Sequence, residues 1–184
     1  LLSAQVKTQP ASTHAVEELL FVSMRMLERG FRDRFEVELF SHNIDDESAI
    51  QQVSRFHSRD QASLLRLAKE IIRVFSDRLS VRELRKLSTH KEKDKLGSNK
   101  LLQDILAKQV GEERARIVLG PVVGAYEMRV GDAHPTGSKI GEALKLAGID
   151  QSLSYLRQGE QLIHNSGHAV WWIGKLLFEK DASS

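Results

Sequence analysis

Arginine close to histidine is the pairing of side chains in this sequence best suited to chemistry on a phosphate. Arg129, Asp132 and His134 fall close together in the run from Tyr126 to Lys139, which reads YEMRVGDAHPTGSK. A guanidinium is a permanent cation whose fork of donors fits phosphate oxygens, and an imidazole gains or loses its proton near neutral pH. The arginine can therefore hold a phosphate while the histidine moves a proton. On a regular helix Arg129 and His134 would occupy different faces, but Gly131 and Pro135 interrupt the pattern and let the backbone turn. The same residues also suit a plain helix C-terminus, with Arg129 near the last carbonyls and Asp132 holding backbone amides.

A second group lies nearer the C-terminus. Glu160, His164 and His168 recur every four residues, and Arg157 stands seven before His164, so a helix would put all four on one face. Two histidines one turn apart, with a carboxylate a turn earlier, form part of a ligand set for Zn²⁺ or Fe²⁺. Completing it would take a side chain from another helix, and Glu17, Glu18 and Glu70 are not singled out for that by pattern. Ordinary core or surface histidines are the competing reading, and no metal or cofactor is assigned. The neighbouring Trp171 and Trp172 point to different faces, one into a core and the other toward a second subunit or another domain.

Charge is the third signal. The net charge of +2 rules out a domain coated in basic residues, yet residues 78–100 carry eight basic side chains against three acidic ones. Arg82, Arg85, Lys86, Lys91, Lys93 and Lys95 are candidate contacts to phosphates, with a solvated helix end and loop as the alternative.

Other chemistries are disfavoured. With no cysteine among 184 residues there is neither a thiolate nucleophile nor a disulfide framework, and nothing calls for an oxidising compartment. The sequence holds no glycine-rich phosphate loop and no serine in a nucleophile elbow. Its apolar runs fall far short of the roughly 20 residues that cross a bilayer. A cytoplasmic protein without a membrane segment is the expectation, and a start at Leu1 suggests a fragment of a longer chain.

The elements that must position these groups read as helices throughout. Residues 1–12 lack an apolar period and are expected to form a flexible tail, leaving 13–184 as one helical domain. Val16, Leu19, Leu20, Met24, Leu27 and Phe31 recur at helical spacing from His14 to Arg32. Phe35 to Phe40 alternates as a short strand would, without a partner of matching pattern. Asp45 or Asp46 can start a short helix to Phe56, Ser58 or Asp60 a longer one through Phe75, and Ser80 with Glu83 another to Leu87. An exposed loop is expected over 88–98. Further helices follow from Ser98 to Val110, from Glu112 to Val130 with Pro121 as a possible kink, and from Ser138 to Gly148. A last long helix runs from Ser152 or Leu156 to Glu179. The fold class is all-α, a bundle of four or more helices with short additional ones.

The spacing of Arg129 and His134, with MRVGDAHPTGSKIGEALKLAGID, LRQGEQLIHNSG and the residues that follow, resembles the HEPN superfamily of helical bundles, in the abortive-infection type. The likeness covers about 60 residues, the C-terminal third. It implies a metal-independent endoribonuclease of bacterial defence or toxin systems, in which the RNA 2′-hydroxyl attacks the adjacent phosphate. It also implies a homodimer whose two bundles form one composite cleft. On this resemblance Arg129 would stabilise the phosphorane charge, His134 would act as general acid or base, and Asp132 would orient His134. Arg157 and His164 are the rival pair, because the family's motif usually opens the last long helix. The competing expectation is a non-catalytic dimerisation or recognition module of a larger protein.

Overall fold

The computed structural model describes residues 16–41, 51–133 and 137–178. Among these residues the chain forms seven α-helices, joined by three short 3-10 turns. We number the helices α1 (Val16–Phe35), α2 (Gln61–Val74), α3 (Val81–Leu87), α4 (Ser98–Val110), α5 (Glu112–Ala133), α6 (Gly137–Leu146) and α7 (Tyr155–Phe178). The all-α bundle expected from the apolar periodicity is therefore what forms. No described helix is long and apolar enough to cross a membrane.

Burial explains why these segments fold as they do. In α1, Leu20, Met24, Leu27 and Phe31 are fully buried at spacings of three and four, and each large apolar side chain removed from water contributes about 1.5–3 kcal/mol. Glu17 and Glu18 open the helix and Arg32 and Arg34 close it, each favoured by the helix dipole. α2 begins at a capping box in which the Asp60 carboxylate accepts from the Ser63 N–H and the Ser63 side chain accepts from the Asp60 N–H. Ser80 caps α3 through the Glu83 N–H at 3.4 Å. Gly97, not Ser98, occupies the cap of α4, and the Ser98 hydroxyl donates instead to the Ser76 carbonyl at 3.0 Å.

Pro121 lies inside α5, which continues through it and on to Ala133, past the boundary expected at Val130. Residues Phe35 to Phe40 do not make a strand. They contribute one isolated antiparallel bridge, Phe40 to Leu79, flanked by hydrogen bonds from Ser80 N–H to Leu39 carbonyl and from Ser41 N–H to Arg78 carbonyl. Glu28 holds this connection by accepting from the Leu39 and Phe40 N–H groups at 3.0 and 3.1 Å. Burial pushes the Glu28 carboxyl above its ordinary range, against the pull of those amides and of Arg32.

The last helix is the organising element, packed on α1, α2, α4 and α5. It runs in the same direction as α1: Gly167 lies against Leu20, Gly174 against Leu27 and Phe178 against Gly30. Glycine is required at the first of these, because a Cβ on Gly167 would fall 2.9 Å from the Leu20 nitrogen. Phe31, Phe35 and Phe178 close the far end of this pair with ring centroids 5.4 to 6.2 Å apart.

Candidate functional site

Two ends of α2 carry the arginines singled out in the sequence. Just beyond its C-terminal end, Asp77 in the turn Ser76–Arg78 accepts two hydrogen bonds from one Arg129 nitrogen, at 2.8 and 2.7 Å. Arg129 is thus already occupied by a carboxylate, in a partly exposed ion pair. Asp132 belongs to the last turn of α5, and His134 lies outside the described residues. The expected meeting of Arg129, Asp132 and His134 therefore receives no geometric test.

At the other end, the rival pair does come together. Arg157 and His164 line one open cleft of about 350 Å³ with Val16, Leu153, Glu160 and Gln161. Both histidine and arginine are exposed. Glu160 stands between two cations: one oxygen accepts from Arg157 at 2.6 Å, the other from Arg55 at 3.4 Å. Arg55 is in turn held by Glu17, which accepts from its backbone N–H at 3.0 Å and lies 4.0 Å from its guanidinium. The result is a chain of alternating charges, Glu17, Arg55, Glu160 and Arg157, at the mouth of a cleft that also holds an imidazole.

The local sequence explains how this chain of charges is assembled. Arg55 is in the short turn Arg55–His57, which lies on α7 where Gly159 leaves room. A Cβ on Gly159 would sit 2.6 Å from the Ser58 Cβ. The Ser58 hydroxyl donates to the Tyr155 carbonyl at 2.8 Å and fixes the turn against the first residue of α7. On the other side of α7, Asn165 donates to the Ala147 and Gly148 carbonyls, each at 3.0 Å, and Gln161 accepts from the Asp150 N–H. Gly148 adopts a φ of 71° there, and the Ile149 N–H returns to the Leu144 carbonyl, a glycine-terminated helix end. The Ser152 hydroxyl and N–H hold the Asp150 carboxyl below its usual range.

His164 and His168 do not face a common ligand position. Their rings stack at 5.7 Å, and the His168 ring lies parallel to Trp171 at 5.6 Å. The Lys175 ammonium stands 4.9 Å from the Trp171 ring. Among the described residues no group of three or more His, Asp or Glu side chains is arranged to hold a metal ion. The exposed side of α7 is thus a ladder of rings, with Trp171 and Trp172 both half-buried.

The basic segment is less available than its composition suggests. Lys86 pairs with Glu83 at 2.7 Å, Lys95 with Glu92 at 2.6 Å, and Arg82 stands 3.8 Å from Glu83. Arg85 donates to the Asp94 carbonyl and Lys93 to the Ser88 carbonyl. Lys91 remains exposed. Asp104 on α4 anchors the connection by accepting from the Ser88 hydroxyl at 2.7 Å and the Thr89 N–H at 3.2 Å.

One group was missed in the sequence. His57, Arg59 and Arg66 line an open cleft of about 530 Å³ at the N-terminal end of α2, and Phe56 beside them is 61% exposed. The run SRFHSRD at 54–60 interleaves cations with aromatic rings and was the available signal. No family model, no curated protein and no solved structure matches this chain.

Proposed function

We propose that this domain is a metal-independent endoribonuclease whose reacting groups are Arg157 and His164. The observation that carries the reading is their convergence in one open cleft with Glu160, which Arg55 also contacts. The resemblance of the C-terminal third to the HEPN superfamily adds to it, and the pair opens the last long helix as that family's motif usually does.

In this reading the 2′-oxygen of the RNA attacks the adjacent phosphorus, the bond to the 5′-oxygen breaks, and the products are a cyclic 2′,3′-phosphate and a 5′-hydroxyl. His164 takes the proton from the 2′-hydroxyl or gives one to the departing 5′-oxygen, the two tasks of a general base or acid for which an imidazole is suited. Arg157 meets the charge that grows on the non-bridging oxygens. To do so it exchanges Glu160 for phosphate, a small cost for a pair this exposed, since surface ion pairs are worth about 0–1 kcal/mol. Arg55 keeps Glu160 in place during that exchange. The basic stretch from Arg82 to Lys95 adds long-range attraction for RNA.

The test is incubation with end-labelled single-stranded RNA in excess chelator. Wild-type protein should leave cyclic phosphate ends, and His164→Ala should not. Equal cleavage by both, or cleavage that chelator abolishes, contradicts the proposal.

The alternative, a non-catalytic pairing module, is favoured by one feature, the exposed ring ladder of α7, formed by His164, His168, Trp171 and Trp172. A second copy covering this face would also supply a second His164 for the complementary proton transfer. Sedimentation of wild type beside Trp171→Ala tests it: a dimer that dissociates supports pairing through α7, and a monomer in both cases removes it.

A further inference from the structure

Resting on the ribonuclease reading, we infer that the cleft of His57, Arg59 and Arg66, with the groove of Phe56 that shares Arg59, is the docking track for the unpaired stretch of RNA that flanks the cleaved bond. Three observations lead there.

First, its cations are available. Neither the Arg59 nor the Arg66 side chain makes a hydrogen bond or ion pair among the described residues, and both residues are exposed. Two carboxylates, Asp60 and Glu70, line the same cleft, and each has a neighbour of its own. Asp60 is committed to the cap of α2, accepting from the Ser63 N–H at 2.8 Å and hydroxyl at 2.5 Å. Those two bonds, with the charge of Arg66, hold its carboxyl below the usual range. Glu70 lies 3.6 Å from Arg73. A strand bringing phosphates would meet two exposed guanidiniums that make no hydrogen bond or ion pair among the described residues, whereas along 82–95 it would mostly have to displace existing partners.

Second, the rim offers a stacking surface. Phe56 is 61% exposed, a large apolar side chain with no role in the core. The Arg55 guanidinium lies 5.2 Å from its ring centroid. A flat ring backed by a cation is what an unpaired base stacks on, and duplex RNA keeps its bases from such contact. Tyr155 and Leu156, both exposed, line the adjoining groove with Phe56 and Arg59.

Third, the track is continuous with the candidate site. Arg55 touches Phe56 on one side and Glu160 on the other, and the second Glu160 oxygen holds Arg157. A strand lying over Phe56 and Arg59 is thereby led to the cleft of Arg157 and His164. Single-stranded RNA fits this combination of exposed cations and exposed ring. An acidic peptide would use the arginines but not the ring.

The experiment is titration of fluorescein-labelled 12-nucleotide oligouridylate into the full chain carrying His164→Ala, so that binding is read without cleavage. Phe56→Ala should weaken binding about tenfold, Phe56→Tyr should restore it, and the double variant Arg59→Ala, Arg66→Ala should lower the slope of log affinity against log salt by about 1.4. An RNA duplex or polyglutamate of equal length should bind more weakly and depend little on Phe56. Binding unchanged in Phe56→Ala, or duplex and polyglutamate binding as tightly as oligouridylate, overturns the inference. Cleavage by wild type is measured in parallel. Absence of cleavage with Phe56-dependent binding overturns the nuclease reading while the docking track stands; cleavage with Phe56-independent binding does the reverse.

Discussion

Arg129 and Arg157 lie toward opposite ends of α2 and meet different partners. At the C-terminal end Arg129 is gripped by both oxygens of Asp77. At the N-terminal end Arg157 and Arg55 share Glu160, and the imidazole of His164 lines the same opening. A helix of 14 residues separates them, about 20 Å at 1.5 Å per residue, so they cannot serve one reaction centre. The contrast teaches that an arginine's local sequence does not say whether its charge is available. Availability depends on which carboxylate the fold delivers, and Asp77 lies 52 positions from Arg129.

The comparison can be broken or sharpened by substitution. The largest expected effect belongs to His164→Ala, which should lower the rate of RNA cleavage about 10² to 10⁴-fold, the usual contribution of a positioned acid or base. Arg129→Ala should leave the rate within about twofold. Gly159→Ala comes next. By forcing Ser58 and its turn off α7 it should displace Arg55 and cost about 1–3 kcal/mol of stability, read as a lower denaturant midpoint. Its cleavage rate should fall about 10²-fold, the size expected when a positioning element shifts by about 1 Å.

Smaller effects lie away from the cleft. Asp104→Ala removes the acceptor of the Ser88 hydroxyl and Thr89 N–H and should cost about 1–2 kcal/mol without changing cleavage by His164. Arg129→Ala should cost no more than about 1 kcal/mol, because its ion pair is partly exposed. Glu28 gives a pH signature. Its folded-state pKa lies above the ordinary 4.5, so the folded state holds that proton more tightly than the unfolded one. Its contribution is then most favourable below pH 4.5 and declines as pH rises through the folded value. Glu28→Gln keeps an acceptor for Leu39 and Phe40 and should flatten that part of the stability profile.

Much of the fold was legible because burial follows the helical period. The apolar positions of α1, α2 and α7 mark one face each, and Asp60 and Ser80 announce where α2 and α3 begin. What was not legible depended on partners far apart in sequence. Among the described residues the strand pattern of Phe35 to Phe40 ends in a single bridge, to Leu79, which lies 39 positions on in the sequence. The parallel course of α1 and α7 is seen in the close approaches of Gly167 to Leu20 and of Gly30 to Phe178, which no local pattern specifies. For the site, Arg157 and His164 were legible as one helix face, whereas Arg55 enters only through its tertiary link to Glu160. The pairing of Lys86 with Glu83 and of Lys95 with Glu92 could have been read from their i, i+3 spacing, since such neighbours meet on one side of a helical turn.

We propose that the cleft on α7, and not the Arg129 end, performs the chemistry. Single-turnover cleavage of labelled RNA in chelator by wild type, His164→Ala and Arg129→Ala side by side separates the two. Cyclic phosphate product should be lost in His164→Ala alone. Loss in Arg129→Ala with activity retained in His164→Ala would contradict it and move the reaction to the opposite end of α2.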